Sequence, residues 1–442
     1  MQPRCTLARM TGMLFALMLP AAASAYQLDY LFEFGIEHNT NVNLSETDPQ
    51  GANILEPSFG FNIKQEGSTV QATANGLVQY RDYLTGDFSD DFRGQLAGHL
   101  NWTMVPERLN LTVEDYAGVQ PINELQPNAP SNQQQTNVFA IGPTLNFRLG
   151  PTVRGEAELR YINSYAEKTD EFNSNRLAGA VRAIKDLSET RTISANITDQ
   201  RVDYIQSNIG QPDYSRYAVF GRYTDKWTKI DLTADLGYSW LHYTDRLDDR
   251  DSPLGRASLT WHYSDRSTFG LNAAYQYSDA ASDMMIGADI PNIPTNIATG
   301  DATTTSEPYL ERDLSVNYAY AGDRLGFTVA PYYRKLDYSE ADPTQIGLFG
   351  AGQNQTGKGA LAGLTYLLRP LLSTGLTATG ENLRYDTIDR TDKTWTIAAF
   401  LRQQWTRNWS WHVQLSHYDR NSTAVGQSSH QNVAYFAITY TR

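Results

Sequence analysis

The stretch Tyr26–His38, YQLDYLFEFGIEH, decides the fold, because it reads in steps of two. Leu28, Tyr30, Phe32, Phe34 and Ile36 fall on one face, and Asp29, Glu33 and Glu37 fall on the other. In a strand successive side chains point to opposite sides, so this is a strand with one apolar and one charged face. The same alternation recurs to the end of the chain in segments of roughly ten residues, and no helical stretch is read between them. An apolar-out, polar-in repeat of this length predicts an all-β, transmembrane, up-and-down antiparallel β-barrel with lipid outside and water inside.

Working outward, the N-terminal residues read as an export signal. Arg4 and Arg9 make a positive start, Met10 to Leu19 is an apolar run too short to cross a bilayer, and Ala23-Ser24-Ala25 is a small-residue cleavage site. Residues 1–25 are therefore expected to be a cleaved signal peptide, and 26–442 a single barrel domain. The only Cys of the 442 residues is Cys5, inside that signal, so the mature chain is expected to hold no disulfide and no thiolate metal site. With strand one starting beside the cleavage site, any plug must be a long loop folded inward.

Downstream of residue 25 the sequence has no window of ~18 apolar residues, which excludes helical spans. The mean hydropathy of −0.48 is that of a soluble protein, but a barrel hides its membrane character because every second residue faces water. The 27 Tyr and 8 Trp suit aromatic girdles at the two membrane interfaces, whereas a soluble sandwich would put fewer aromatics on outward faces. The formal charge of −13 argues against a nucleic-acid partner. It also repels anionic lipopolysaccharide unless divalent cations bridge the two.

Connections alternate short with long. Short turns are read at Glu66-Gly67-Ser68, Val105–Arg108, Gly150-Pro151, Lys185-Asp186, Asp225-Lys226, Ser264–Arg266, Ala321–Asp323, Arg369-Pro370 and Arg407-Asn408. Longer polar connections are read near 39–52, 83–90, 116–135, 163–174, 203–213, 243–251, 279–305, 339–357, 385–392 and 420–429. Nine short and ten long connections join about 20 strands, and one misread hairpin would make it 18 or 22. Short turns face the periplasm in bacterial barrels, so both termini are expected there. About 20 strands enclose a barrel roughly 40 Å across, too wide for side chains to fill. The inward loop is expected among 116–135, 279–305 and 339–357. Trp102, Trp227, Trp261, Trp405 and Trp409 lie beside proposed short turns and would form one girdle, with Trp240 and Trp395 at the other rim. Phe436, Ile438 and Tyr440 near the C-terminus supply the lipid-facing aromatic end that barrel assembly machinery reads, although Thr441 and Arg442 follow it.

The inward face is polar and of mixed sign. In Val153–Tyr161, Arg154, Glu156, Glu158 and Arg160 are expected to line the lumen, and Arg182, Arg216 and Arg222 join them from neighbouring strands. Asp29, Glu33, Glu37, Arg81, Arg93, Arg176, Asp231, Asp235 and Arg402 are read the same way. Arginines on such a wall either pair with carboxylates or touch passing sugars and anions. The 7 His residues fit no metal-ligand spacing, and neither HExxH nor GxSxG occurs. His262 near Ser264, and His417 near Asp419, are spacings that chance supplies in a polar chain, so no catalytic residue, cofactor or metal site is expected. Asp87, Asp90 and Asp91, and Asp245, Asp248, Asp249 and Asp251, are acidic enough for Ca²⁺ but read as solvated loops.

Two stretches carry more than periodicity. One runs from Glu114-Asp115-Tyr116 through Pro127-Asn128-Ala129-Pro130-Ser131-Asn132-Gln133 to Thr136-Asn137-Val138-Phe139 and Gly142-Pro143. The other is His38-Asn39-Thr40-Asn41-Val42-Asn43, where His38 stands in place of a more common acidic residue. Together they resemble the β-barrel porins encoded beside exopolysaccharide and exosortase (PEP-CTERM) loci of Gram-negative bacteria, and the order of elements is similar along nearly the whole mature chain. The resemblance implies a porin-like outer-membrane conduit for exopolysaccharide, with a periplasmic polysaccharide export protein as partner and no catalytic residues. A general diffusion porin for small solutes and a non-transporting surface scaffold are the alternatives.

Overall fold

The computed structural model describes residues 26–206, 213–244, 249–287, 305–338 and 353–442. They form twenty antiparallel strands. The first five are β1 (Tyr26–Asn39), β2 (Ala52–Glu66), β3 (Val70–Tyr83), β4 (Asp91–Val105) and β5 (Leu109–Pro121). Next come β6 (Gln133–Arg148), β7 (Val153–Ala166), β8 (Ser174–Asp186), β9 (Arg191–Tyr204) and β10 (Tyr214–Lys226). Then follow β11 (Ile230–Tyr243), β12 (Arg250–Ser264), β13 (Ser267–Ser278), β14 (Tyr309–Ala321) and β15 (Leu325–Tyr338). The last are β16 (Gln355–Arg369), β17 (Leu372–Tyr385), β18 (Arg390–Gln404), β19 (Trp409–Ser422) and β20 (Ser429–Thr441). Each strand pairs with its sequence neighbours, and β1 pairs with β20, so the sheet is closed and has no edge.

Closure is made by a regular register, Phe34 opposite Ile438 and Ile36 opposite Phe436, and the Tyr30 and Arg442 main chains exchange hydrogen bonds of 2.9 and 3.0 Å. At this seam Gly35 has a steric reason, since a Cβ there would overlap the Tyr435 ring, which lies flat over β1 while its hydroxyl donates to Glu33 at 2.9 Å.

The apolar face of the alternation points away from the barrel and stays uncovered. Leu236 is 75% exposed, Phe92 73% and Ile197 60%, and similar side chains recur around the circumference. A soluble monomer rarely leaves so continuous an apolar belt bare, and a bilayer is its natural cover. Trp102, Trp227, Trp261, Trp405 and Trp409 are all exposed near the rim that carries the short connections, and Trp395 is exposed toward the other rim. Tyr26, Arg442 and the short connections share one rim. The strand ends that bound the ten remaining connections lie at the other, as an even strand count requires.

Several sequence readings of length change, among them 163–174, which becomes 167–173, and 420–429, which becomes 423–428. The connection read at 385–392 is only residues 386–389, because Arg390 and Asp392 continue β18. The one read at 116–135 shrinks to 122–132, because β5 and β6 run on as polar ladders above the apolar belt. One reading of type also changes. A helix, α1 (Ala280–Gly287), interrupts the all-strand pattern after β13.

Candidate functional site

The barrel interior holds a cavity of about 3340 Å³. Its lining runs from Asn408 and Arg442 at the short-turn rim to Glu124 and Asn128 in the 122–132 loop. Between them lie inward side chains of β11 to β19, many of them hydroxyls, such as Thr377, Thr379, Thr394, Thr396 and Ser416.

Among the described residues, two connections reach far into this space. The connection after β13 turns inward at Asp279, whose carboxylate caps α1 by accepting from the Ser282 amide at 3.1 Å and the Ser282 hydroxyl at 3.0 Å. The same carboxylate meets Arg176 of β8 at 2.5 Å and Tyr214 of β10 at 3.3 Å. Burial opposes its ionisation, but the Arg176 charge, then the Arg216 charge, and the hydrogen bonds from Arg176 and the Ser282 amide outweigh it. The carboxyl is held well below the usual carboxylate range. One turn on, Asp283 accepts from Ser278 at 2.8 Å and Tyr309 at 2.5 Å, and it pairs with Arg334 of β15. Ala280 and Ala281, with Met284 and Met285 beside them, pack on Val138, Ala140, Ile162 and Phe172. Small residues at the start of α1 let it lie flat against β6 and β7. Where the same connection returns to β14, residues 305–308 are buried, and the Tyr204 hydroxyl donates to the Ser306 carbonyl. Of the stretch 279–305, residues 288–304 lie outside the described residues, as do 339–352 of the third expected loop.

The second inward connection is residues 122–132. Asn132 closes it, its amide donating to the carbonyls of Asn123 at 2.8 Å and Pro127 at 3.1 Å, while its side-chain oxygen accepts from the Asn123 amide at 2.9 Å. The loop carries Glu124 across the ring to strands on the far side. The Tyr385 hydroxyl donates to its carbonyl at 3.2 Å, and Gln355 reaches its carboxylate at 3.5 Å. The Pro- and Asn-rich motif thus acts as a brace for an arm across the lumen. In the same region Asn137 donates to Asp115 at 2.6 Å, tying β5 to β6. Asn41 and Gln431 staple the β1–β20 seam, through Asn41 to the His430 carbonyl and Gln431 to Asn39, each at 2.9 Å.

Most of the lumenal arginines are held by carboxylates on the same or a neighbouring strand. Arg222 and Arg256 share Asp235, at 2.7 and 2.8 Å. Arg81 bridges Glu37 at 3.2 Å and Glu56 at 2.6 Å, and Arg390 and Arg420 share Asp392 at 2.9 and 2.7 Å. Arg334 adds Glu311 at 3.1 Å to its Asp283 contact. Of the side chains singled out from sequence, Arg182 joins Glu156 and, at 2.6 Å, Glu158, and Arg160 reaches Glu158 at 3.5 Å and the Gly142 carbonyl at 2.9 Å. Arg154 stands apart at the short-turn rim with Asp186, 2.8 Å away and half exposed. Arg216 bonds the Tyr277 carbonyl and the Gln200 side chain, both at 2.7 Å. Arg402 lines the cavity.

The candidate nucleophile pairs are not assembled. His417 bonds Asn432 at 2.8 Å and packs on Trp395, and His262 faces Thr268 at 3.5 Å. Asp90 is spent on Tyr80 and the Tyr83 amide, and Asp245 and Asp248 lie outside the described residues. Among the described residues no group of three or more His, Cys, Asp and Glu is placed to hold a metal ion. Sequence reasoning missed α1 and its anchor, although Asp279 three residues before Ser282, followed by Ala-Ala, is a helix-start signal.

A closed, up-and-down antiparallel barrel with an apolar belt outside and a polar lumen inside is the porin-like fold of Gram-negative outer-membrane transport proteins. Solved structures similar to it include the FrpB iron transporter of Neisseria meningitidis, at 9% identity over 94% of this chain and 81% of that chain, TM-score 0.46. A variant of the ferric enterobactin receptor PfeA of Pseudomonas aeruginosa matches at 12% identity over 95% and 82%, TM-score 0.49. OccK2 (OpdF) of Pseudomonas aeruginosa matches at 9% identity over 94% and 97%, TM-score 0.41. No protein-family model and no curated protein matches the chain.

Proposed function

We propose that the protein is a passive outer-membrane conduit for the export of exopolysaccharide, with its termini and short turns in the periplasm and its long loops outside. The observation that carries the conduit reading is the cavity of about 3340 Å³ running from the short-turn rim to the inward loops. A sugar polymer needs a wide, polar path with many weak contacts, since one tight site would stall it. The lumen offers dispersed hydroxyls, and its arginines are largely engaged by carboxylates. The polysaccharide itself is supported by the resemblance at Asp115–Pro143. A periplasmic polysaccharide export protein at the short-turn rim is the partner that follows, and residues 1–25 are the cleaved export signal.

Deletion of the gene tests this. Polymer synthesis should continue, and polymer should accumulate in the periplasm while uptake of small solutes stays normal. Normal surface polysaccharide together with lost small-solute uptake would replace the export reading with a general diffusion porin. Normal values of both, with no conductance from reconstituted protein, would leave a scaffold.

A further inference from the structure

The outer wall of the barrel at the loop rim carries a cation cluster that the lumen does not use. Lys358 of β16, Asn382 of β17 and Lys393 of β18 are paired in register, Lys358 opposite Asn382 and Asn382 opposite Lys393. They form one cross-strand row on the lipid-facing side. Two residues further toward the loops, Thr356, Arg384 and Thr391 form the next row on the same side. Together with Asp386 these side chains enclose a recess of about 470 Å³. Arg384 is held by Asp386 at 3.2 Å and more loosely by Asp389 at 3.9 Å, but among the described residues neither Lys358 nor Lys393 has a carboxylate within salt-bridge distance. Both lysines are exposed. This is a local excess of positive charge on a chain of formal charge −13.

Depth fixes what meets it. Trp395 follows Lys393 by two residues on the same face, points outward and belongs to the aromatic girdle that marks the edge of the hydrocarbon. Two residues of strand rise about 7 Å. The lysine row therefore sits one step outside the hydrocarbon, at the level of lipid headgroups, where anionic phosphate concentrates and unpaired ammonium groups gain most. A phosphate in the recess would accept from two ammonium groups, with the Asn382 amide and the threonine hydroxyls completing its shell.

We infer that this recess binds a phosphate of lipid A, the anchor of lipopolysaccharide in the outer leaflet. The site rests on the proposed orientation, loops outward, and is independent of what passes through the lumen. It also resolves how an acidic barrel sits in an anionic leaflet. Contact is made locally through Lys358 and Lys393 and needs no divalent bridge there.

The test uses full-length protein extracted from outer membranes in mild detergent. Lipopolysaccharide that copurifies is measured by mass spectrometry. Wild type should retain it, the Lys358→Gln/Lys393→Gln variant should lose about tenfold, and the Lys358→Arg/Lys393→Arg variant should keep it. A Lys64→Gln/Lys229→Gln control at the opposite rim should match wild type, and heat-modified gel migration confirms that each variant is folded. In thermal melts, bisphosphorylated lipid A should raise the Tm of wild type, and dephosphorylated lipid A and inorganic phosphate should not. Undiminished copurification in the double Gln variant, or an equal shift with dephosphorylated lipid A, overturns the site. An equal shift with inorganic phosphate overturns the lipid as its source. Failure of the conduit reading would show instead as absent conductance and leave these results unchanged.

Discussion

The Asp279 carboxylate and the Arg176 guanidinium meet at 2.5 Å with both side chains almost fully buried, and through this contact a connection that leaves β13 is pinned to β8 inside the barrel. Asp279 also caps α1, so one residue starts the helix and fixes where it lies. Removing one partner of a buried pair leaves an uncompensated charge, at a cost of about 3–5 kcal/mol. Asp279→Asn keeps the cap and loses the charge. It should undock the 279–308 connection and raise single-channel conductance in planar bilayers, with the barrel still folded. Adding Arg176→Gln to Asp279→Asn removes the orphaned charge and should bring conductance back toward wild type. Unchanged conductance in the single variant would mean that this connection does not constrict the path.

The same pair sets a pH dependence with a definite sign. The folded carboxyl lies below its unfolded value of about 3.9. Its contribution to docking is therefore complete above about pH 3.9 and is lost as pH falls through the lower folded value. Conductance should be flat from about pH 5 to 8 and step upward only below about pH 3.9. The Asp279→Asn variant should show no such step. A step near neutral pH in wild type would point to a different titrating latch.

How far the sequence reaches is visible in these residues. The strands are legible because period two survives in a lipid-facing wall: Phe34, Ile36, Leu236 and Ile197 had to be apolar whatever their neighbours. Loop lengths are less legible, because strands continue as polar ladders beyond the membrane. Arg390 and Asp392 look like loop residues and are buried strand residues, and Asp392 holds both Arg390 and Arg420. The pairing of Arg222 with Arg256 on Asp235 is invisible in sequence, since it depends on register across three strands. Glu124 meeting Tyr385 depends on a loop crossing the whole ring, and no local pattern encodes that.

The lipid-facing assignment predicts an asymmetry within one strand. Leu236 of β11 is outward and 75% exposed, between Gly221 and Gly255 on the adjacent strands. Leu236→Arg should destabilise the barrel by about 2–4 kcal/mol in urea unfolding from lipid vesicles, the range for arginine near the bilayer midplane. Thr233→Arg, which faces the cavity, should cost far less. Equal costs would contradict the belt.

Orientation is open to labelling at described positions. Val425 stands fully exposed in the connection between β19 and β20, and Asp323 lies in the short turn between β14 and β15. Val425→Cys should react with an impermeant thiol reagent on intact cells, and Asp323→Cys only after the outer membrane is opened. The reverse pattern would invert the barrel, and with it the place of the lipid A recess.

The charge state of the lumen predicts what it admits. Asp235 engages both Arg222 and Arg256 and leaves one positive charge there, but the residues lining the cavity include nine Asp and Glu against seven Arg. Elsewhere along the cavity Glu381 takes its hydrogen bond from neutral Tyr332 at 2.7 Å, which leaves its negative charge uncompensated by that contact. Like charge focused in a low-dielectric passage opposes entry. Neutral oligosaccharides should therefore leave loaded vesicles about tenfold faster than uronic-acid oligomers of the same length, and the reversal potential in a salt gradient should favour cations. Asp235→Asn frees two guanidinium groups without changing the size of the passage. It should move the reversal potential toward anions and narrow the difference between the two sugars, and Glu381→Gln should act in the same direction. Equal efflux of both polymers through wild-type channels that conduct ions would refute charge selection while leaving the conduit in place.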